Sequence, residues 1–577
     1  MKISWAMAAA VALMAGTGLA PTTAAASARS VPSPDTRMQK RHDILDISAD
    51  EESAGRCRSA EPVTTDGTYR SRTARAAGSL SSPVRFVPLP SSRESDDSLD
   101  RAIDTRIGAS RNGVRTQGSI GDGPHSSSGD GSGDFDFYRL RAHAGQTVTA
   151  KVRASTDALD SALTLYDANG RAVAGADDSP GTTDSTLVHK VADSGTYYLM
   201  VSGSGSSPRD PSASGSGTGA ASEGPYTLSV SAAAVHTRYY AVRLHAGDVV
   251  GAAVDGTPDT LAVIGPDGVA DEVSTGDVAR HHPSAAPLPS GKLSVDDVAA
   301  HDGRYCLAVS GDTPGAYRLK VLATRPALEG TGREQTIFLD FDGARVDPSV
   351  FASSGLQVTP GARTTSPLRA FLAAWGLPAD AEGRLADAIT ARVRGSLETD
   401  LANSRINEHF GVRLLSSEHD KDPGDGPDVD RVVVGGTIAE TDLPTLGVTS
   451  SIDPGNFDTT DTSIVLLDLL SGPASDSISL NHYMNSSSDR ITFISTVLAN
   501  LVSHELGHAL GNWHTATDGT STLMDNDDTF ISAGPDRVGG TADDDAPQTF
   551  GKDAFASVEG LTGVEDTAVR TAYALSH

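Results

Sequence analysis

Residues 504 to 514 read His-Glu-Leu-Gly-His-Ala-Leu-Gly-Asn-Trp-His. Two histidines four apart on a helix sit about 40° apart around its axis, so His504 and His508 can present both imidazoles to one ion. The same helix cannot carry a third ligand to that point. Gly511 supplies the break, because glycine enters φ > 0 freely, and His514 then swings back. Three neutral nitrogen donors leave a fourth zinc position open, as catalytic zinc requires and structural zinc does not. Glu505 falls on the same arc of the helix as Ile494, Leu498 and Leu501. A carboxylate on that apolar stripe is costly without a compensating charge nearby. Zinc-bound water would provide it, with Glu505 as the general base that moves a proton from water to the leaving amine. Bare His-Glu-x-x-His sequences also occur on ordinary surface helices; the extended pattern on an amphipathic helix favours the metal.

These side chains need a frame. A long helix is expected from about 491 to 510, preceded by strands at 335–341, 412–415, 431–434, 446–450 and 463–467. A helical region interrupted at Pro378 lies between Pro367 and Leu401. Residues 327–577 therefore read as an α/β domain with one sheet and two main helices.

The extended histidine pattern resembles that of the metzincin clan of zinc peptidases. The resemblance implies that Met524, in Ser521-Thr522-Leu523-Met524-Asp525, is the Met-turn residue, an apolar base beneath the histidines. It also implies that Leu446, Gly447, Val448 and Thr449 form the edge strand that pairs with extended substrate. Asn526 stands where some members carry a tyrosine, so no fifth ligand is indicated. A competing scheme takes a glutamate on a later helix as third ligand, and Glu559 and Glu565 are available for it, the latter on an expected C-terminal helix.

Upstream, short alternating strands occur twice. Phe137 to Val148 returns as Tyr239 to Val250, Ser194 to Gly203 as Asp302 to Gly311, and Gly224 to Val230 as Gly315 to Val321. Conserved order at a period of about 100 residues predicts two tandem copies of one small β-domain, at 126–232 and 233–326. The first copy resembles the bacterial pre-peptidase C-terminal domain (PPC) family through Asp136-x-Tyr138, Ala144-Gly145-Gln146, Leu165-Tyr166-Asp167, Ala176-Asp177-Asp178 and Ser194-Gly195-Thr196-Tyr197-Tyr198. The second is a divergent copy. That resemblance implies two jelly-roll-like sandwiches ahead of the peptidase domain, giving a multidomain fold.

The amino terminus reads as an export signal over residues 1–28. Lys2 precedes an uncharged stretch from Ile3 to Ala20, with small residues following up to Ala28. An uncleaved anchor is the alternative, since that stretch is just long enough to span a bilayer. Residues 29–125, rich in Ser, Arg, Asp and Gly, read as a largely disordered pro-segment or linker. With 46 basic and 75 acidic residues the net charge is −29, which disfavours nucleic acid and anionic membranes as partners. A secreted, extracellular protein is expected, with a protein or peptide as partner.

Two cysteines, Cys57 and Cys306, leave three readings open: a disulfide, a free thiol, or a latency switch in which Cys57 occupies the open zinc position. Asp536, Asp543, Asp544 and Asp545 cluster oxygens on a glycine-rich loop, where calcium or plain solvation would serve. Asp134, Asp136, Asp177 and Asp178 form a similar set. The expected activity is zinc-dependent endopeptidase; the rival from another class is a surface-binding or adhesive protein with a secondary peptidase domain.

Overall fold

The computed structural model describes residues 60–62, 66–68, 70–80, 84–91, 95–121, 134–156, 158–179, 182–217, 222–233, 236–311, 315–517, 522–526, 530–544 and 548–577. The expected signal segment, Cys57 and Asp545 lie outside the described residues.

The two repeats fold into sandwiches of the same design. In the first, strands Ala172–Ala176, Ser161–Tyr166, Gly195–Gly203, Asp136–Ala142 and Ile103–Asp104 lie side by side in that order. They face a sheet of Thr186–Lys190, Thr147–Ala154, Gly224–Ala233, Gly113–Ile120 and Phe86–Pro88. Alternating residues such as Leu140, Val148, Leu165, Leu199 and Val230 fill the space between. In the second, Val242, Val250, Val263, Leu307 and Val321 do the same. Both copies bury a hydroxyl pair between the sheets, Tyr138 with Tyr226 at 2.8 Å and Tyr240 with Tyr317 at 2.6 Å. A buried hydroxyl needs a partner, and the two tyrosines serve each other.

Two expectations need correction. Within the expected disordered linker, Ser71–Leu80 and Gly113–Ile120 are strands. Nor are the sandwiches simply tandem. Gly113–Ile120 pairs with Gly224–Ala233 in the first copy, Ile120 opposite Gly224. The equivalent partner of Gly315–Thr324 in the second copy is Ser71–Leu80, with Leu80 opposite Gly315. The first sandwich is thus inserted between the opening strand of the second and its remainder. Ser71–Leu80 hides this because only Ala74 and Leu80 are buried along it, and its other positions, among them Arg72, Arg75 and Ser79, stay at least partly exposed.

The C-terminal unit carries a five-stranded sheet in the order Val412–Ser416, Gln335–Asp340, Val429–Val434, Thr462–Val465, Gly447–Thr449. The first four strands run parallel and the last is an antiparallel edge. Helix Arg490–Ala509 packs on this sheet and on helix Glu382–Arg394. Its start is fixed by Asp489, whose carboxylate accepts from the Thr492 N–H. Ile494, Val497, Leu498, Leu501 and Val502 then anchor it in a core with Trp375, Leu385 and Ile389.

The second sandwich and the C-terminal unit share a sheet. Strand Ala270–Ser274 pairs antiparallel with Leu561–Asp566, which pairs in turn with Lys552–Ala554. Arg570, on the terminal helix Thr567–Ala574, crosses the same seam. It is buried and faces Asp296 at 2.5 Å, Glu565 at 3.2 Å and Glu272 at 3.5 Å. The expected boundary near 326 is therefore a continuous, ion-paired junction.

Candidate active site

Helix Arg490–Ala509 ends where the pattern requires. Gly511 has φ 97°, its N–H donates to His508 O at 2.9 Å, and the Asn512 N–H donates to Gly507 O at 2.9 Å. A Cβ at 511 would collide with the Pro454 backbone, so the turn is closed to other residues by conformation and by space.

That turn brings the three histidines together. His508 Nε2 lies 3.2 Å from His504 Nε2 and 3.3 Å from His514 Nε2. Each Nδ1 faces an acceptor: Leu523 O at 2.6 Å for His504, Asn512 O at 2.8 Å for His508, and the Glu559 carboxylate for His514. Carbonyl and carboxylate oxygens only accept, so each Nδ1 donates to its partner and each Nε2 is the nitrogen turned toward the other two rings. The lone pairs of the neutral His504 and His508 rings repel at this range unless a cation lies between them. Nitrogen ligands at ~2.0–2.1 Å around tetrahedral zinc stand about 3.3 Å apart, which matches the two distances from His508 Nε2. Burial, aided by His514, holds His504 down to about 3 and His508 well below the usual imidazole range, so both rings stay neutral. Among the described residues this is the one histidine, cysteine or carboxylate group gathered closely enough to hold a metal.

Glu505 is 3% exposed and leans on the edge strand, where a Cβ at Gly447 would overlap its carboxyl group. Its Oε2 is enclosed with no hydrogen-bond partner among the described residues, and burial pushes the carboxyl up to about 8. Leu446, Val448 and Thr449 are buried with Gly447 beside it. Met524 is fully buried in the 522–525 turn, with its sulfur against Gly507 on the ligand helix. The same turn is tied on both sides, through Leu523 O to His504 and through Met524 O to the Thr515 N–H at 2.7 Å.

Other residues stand differently from the sequence expectation. Glu559, weighed as a ligand, sits on the Nδ1 side of His514. Glu565 accepts from the Trp513 N–H at 2.9 Å and from Arg570. Asp536, Asp543 and Asp544 turn toward their own loop: Asp536 accepts from Val538 N–H, Asp543 from the Thr541 hydroxyl and Asp544 from Gly540 N–H. In the first sandwich Asp136 accepts from the Tyr226 hydroxyl and Asp134 from Gly121 N–H. Cys306 is buried in the second sandwich.

Sequence reading missed a third acidic group. Asp430, Asp453 and Asp461 are buried side by side, and among the described residues no Lys, Arg or His forms an ion pair with them. Burial raises all three, Asp461 to about 7. They come from a strand start and two loop positions, so no local pattern marks them.

No curated protein matches the chain. Among solved structures, PliG of Aeromonas hydrophila, a periplasmic inhibitor of g-type lysozyme, is 17% identical over 25% of this chain and 99% of its own, with a TM-score of 0.15. PliG of Salmonella Typhimurium is 16% identical over 23% of this chain and 97% of its own, at 0.14. The pre-peptidase C-terminal domain of a Bacillus anthracis collagenase is 13% identical over 26% and 99%, at 0.14. The profile of the bacterial pre-peptidase C-terminal domain matches residues 134–203, which span the first sandwich from its Asp136–Ala142 strand to its Gly195–Gly203 strand, so this stretch is similar to that family.

Proposed function

We propose that this chain is a secreted, zinc-dependent endopeptidase of the metzincin clan, with its β-sandwiches as accessory units. The observation that carries the reading is the convergence of three imidazole Nε2 atoms, two of them 3.2 and 3.3 Å from that of His508, beside a buried glutamate whose Oε2 has no hydrogen-bond partner among the described residues. His504, His508 and His514 would hold the metal. Zinc, when bound, supplies a Lewis acid that makes water a better nucleophile and polarises a peptide carbonyl. The chain's own groups do the rest. Nδ1 contacts keep the rings in one tautomer and one orientation. Glu505 accepts the proton of the attacking water and passes it to the departing amine, and its enclosure strengthens both transfers. The edge strand Gly447–Thr449, which touches Glu505, would align an extended peptide by main-chain pairing.

Export rests on the sequence of residues 1–28 and on the PPC likeness. Among the described residues no helix is long and apolar enough to cross a membrane.

The test is zinc content of the purified secreted chain together with casein cleavage. Near one zinc per chain, with cleavage abolished by a chelator and restored by zinc, is expected. Zinc present with no peptide cut would favour the adhesive reading.

A further inference from the structure

The three ligands are not held alike. His504 and His508 sit on a rigid helix and donate to backbone carbonyls. His514 lies beyond the helix, on a turn, and donates to a carboxylate. Both side chains of the His514–Glu559 pair are buried, at 3% and 2% exposure.

We propose that Glu559 is a positioning residue for the metal centre: it fixes the ring of His514 and increases its donor strength. The reading builds on the zinc site above, and the local structure gives it a physical basis. The chain after His514 runs beside residues 554–556, with the Ala556 N–H donating to His514 O and the Ala516 N–H to Ala554 O, both at 2.8 Å. A short turn follows, closed by the Glu559 N–H on Ala556 O at 3.1 Å and ended by Gly560 at φ 66°. Glu559 therefore reaches His514 from a defined direction. The segment beyond it, Leu561–Asp566, is paired with Ala270–Ser274 of the second sandwich, so that sandwich helps hold the carboxylate in place. Trp513, next to the ligand, is tied to the same segment through Glu565. An anionic acceptor on Nδ1–H shifts electron density toward Nε2, and loss of such a partner typically costs 10–100-fold in metal affinity.

The test compares the full secreted chain with Glu559→Gln, which keeps the shape and removes the charge. Zinc affinity is read by chelator competition, the visible spectrum of the cobalt-loaded protein reports the ligand field, and thermal unfolding of the zinc-free form reports the fold. The expected result is a zinc Kd raised 10–100-fold and a shifted cobalt spectrum, with zinc-free stability little changed. Should the glutamine variant not fold, Glu559→Asp, which keeps the charge but shortens the reach, gives the same readout. A Kd within twofold of the parent with an unchanged cobalt spectrum overturns the proposal while leaving the zinc site standing. A parent chain without zinc affinity overturns both.

Discussion

Gly511→Ala probes the link between backbone and metal. The native φ of 97° would cost a residue with a Cβ roughly 1–2 kcal/mol on its own. The added methyl would also meet backbone atoms of the facing loop, among them Pro454 N at 2.6 Å and Asp453 C at 3.0 Å. Neither neighbour is a flexible side-chain tip. The Asp453 N–H donates to His508 O at 3.3 Å and Asp453 is fully buried, so the loop cannot retreat easily. Relief must come from the turn that carries His514. Overpacking of this kind adds about 1–3 kcal/mol. The sum is a loss of roughly 2–5 kcal/mol, shared between stability and metal binding. A ligand displaced by about 1 Å lowers turnover on the order of 10²-fold. Thermal unfolding with and without zinc, chelator competition and peptide turnover measure the three parts. Unchanged melting temperature, zinc affinity and turnover in Gly511→Ala would refute the reasoning.

The remaining predictions concern charge. Asp430, Asp453 and Asp461 bind protons more tightly folded than unfolded, so their contribution to stability is full below the unfolded carboxylate value of ~4 and is lost as pH rises through each folded value, which for Asp461 is about 7. Chemical denaturation of the zinc-free chain should show stability falling over that window by up to about 1.4 kcal/mol per pH unit for each proton released, with a shallower slope in Asp461→Asn. An equal slope in the variant would contradict this. Arg570→Met should destabilise the chain by about 3–5 kcal/mol, because it leaves Asp296, Glu272 and Glu565 buried without their cation. Calorimetry showing a change below about 1 kcal/mol would rule out that role.

How much of this was legible depended on distance along the chain. The ligand helix, its glycine exit and the five strands of the C-terminal sheet could be read because each rests on a local signal: apolar periodicity, a glycine at a break, β-branched runs. The repeat was visible because order and spacing recur. The nesting of the sandwiches was not, since Ser71–Leu80 meets Gly315–Thr324 across more than two hundred residues and has almost no apolar alternation. Glu559 is 45 residues from His514, and sequence can supply it as a carboxylate but cannot say which side of the imidazole it faces. Gly447 carries no motif at all; only the fold shows that a side chain there would meet Glu505. The Arg570 network joins residues almost 300 positions apart, and each member alone reads as an ordinary surface charge.

In the proposed mechanism Glu505 works as the base beside a three-histidine metal. Digestion of a peptide library by the secreted chain and by Glu505→Gln, followed by mass spectrometry, tests it most directly, with zinc content measured on both. Peptide cleavage by the parent, a loss on the order of 10²–10⁴-fold in the variant, and equal zinc in the two proteins are expected. Cleavage at the parental rate by Glu505→Gln would contradict that mechanism.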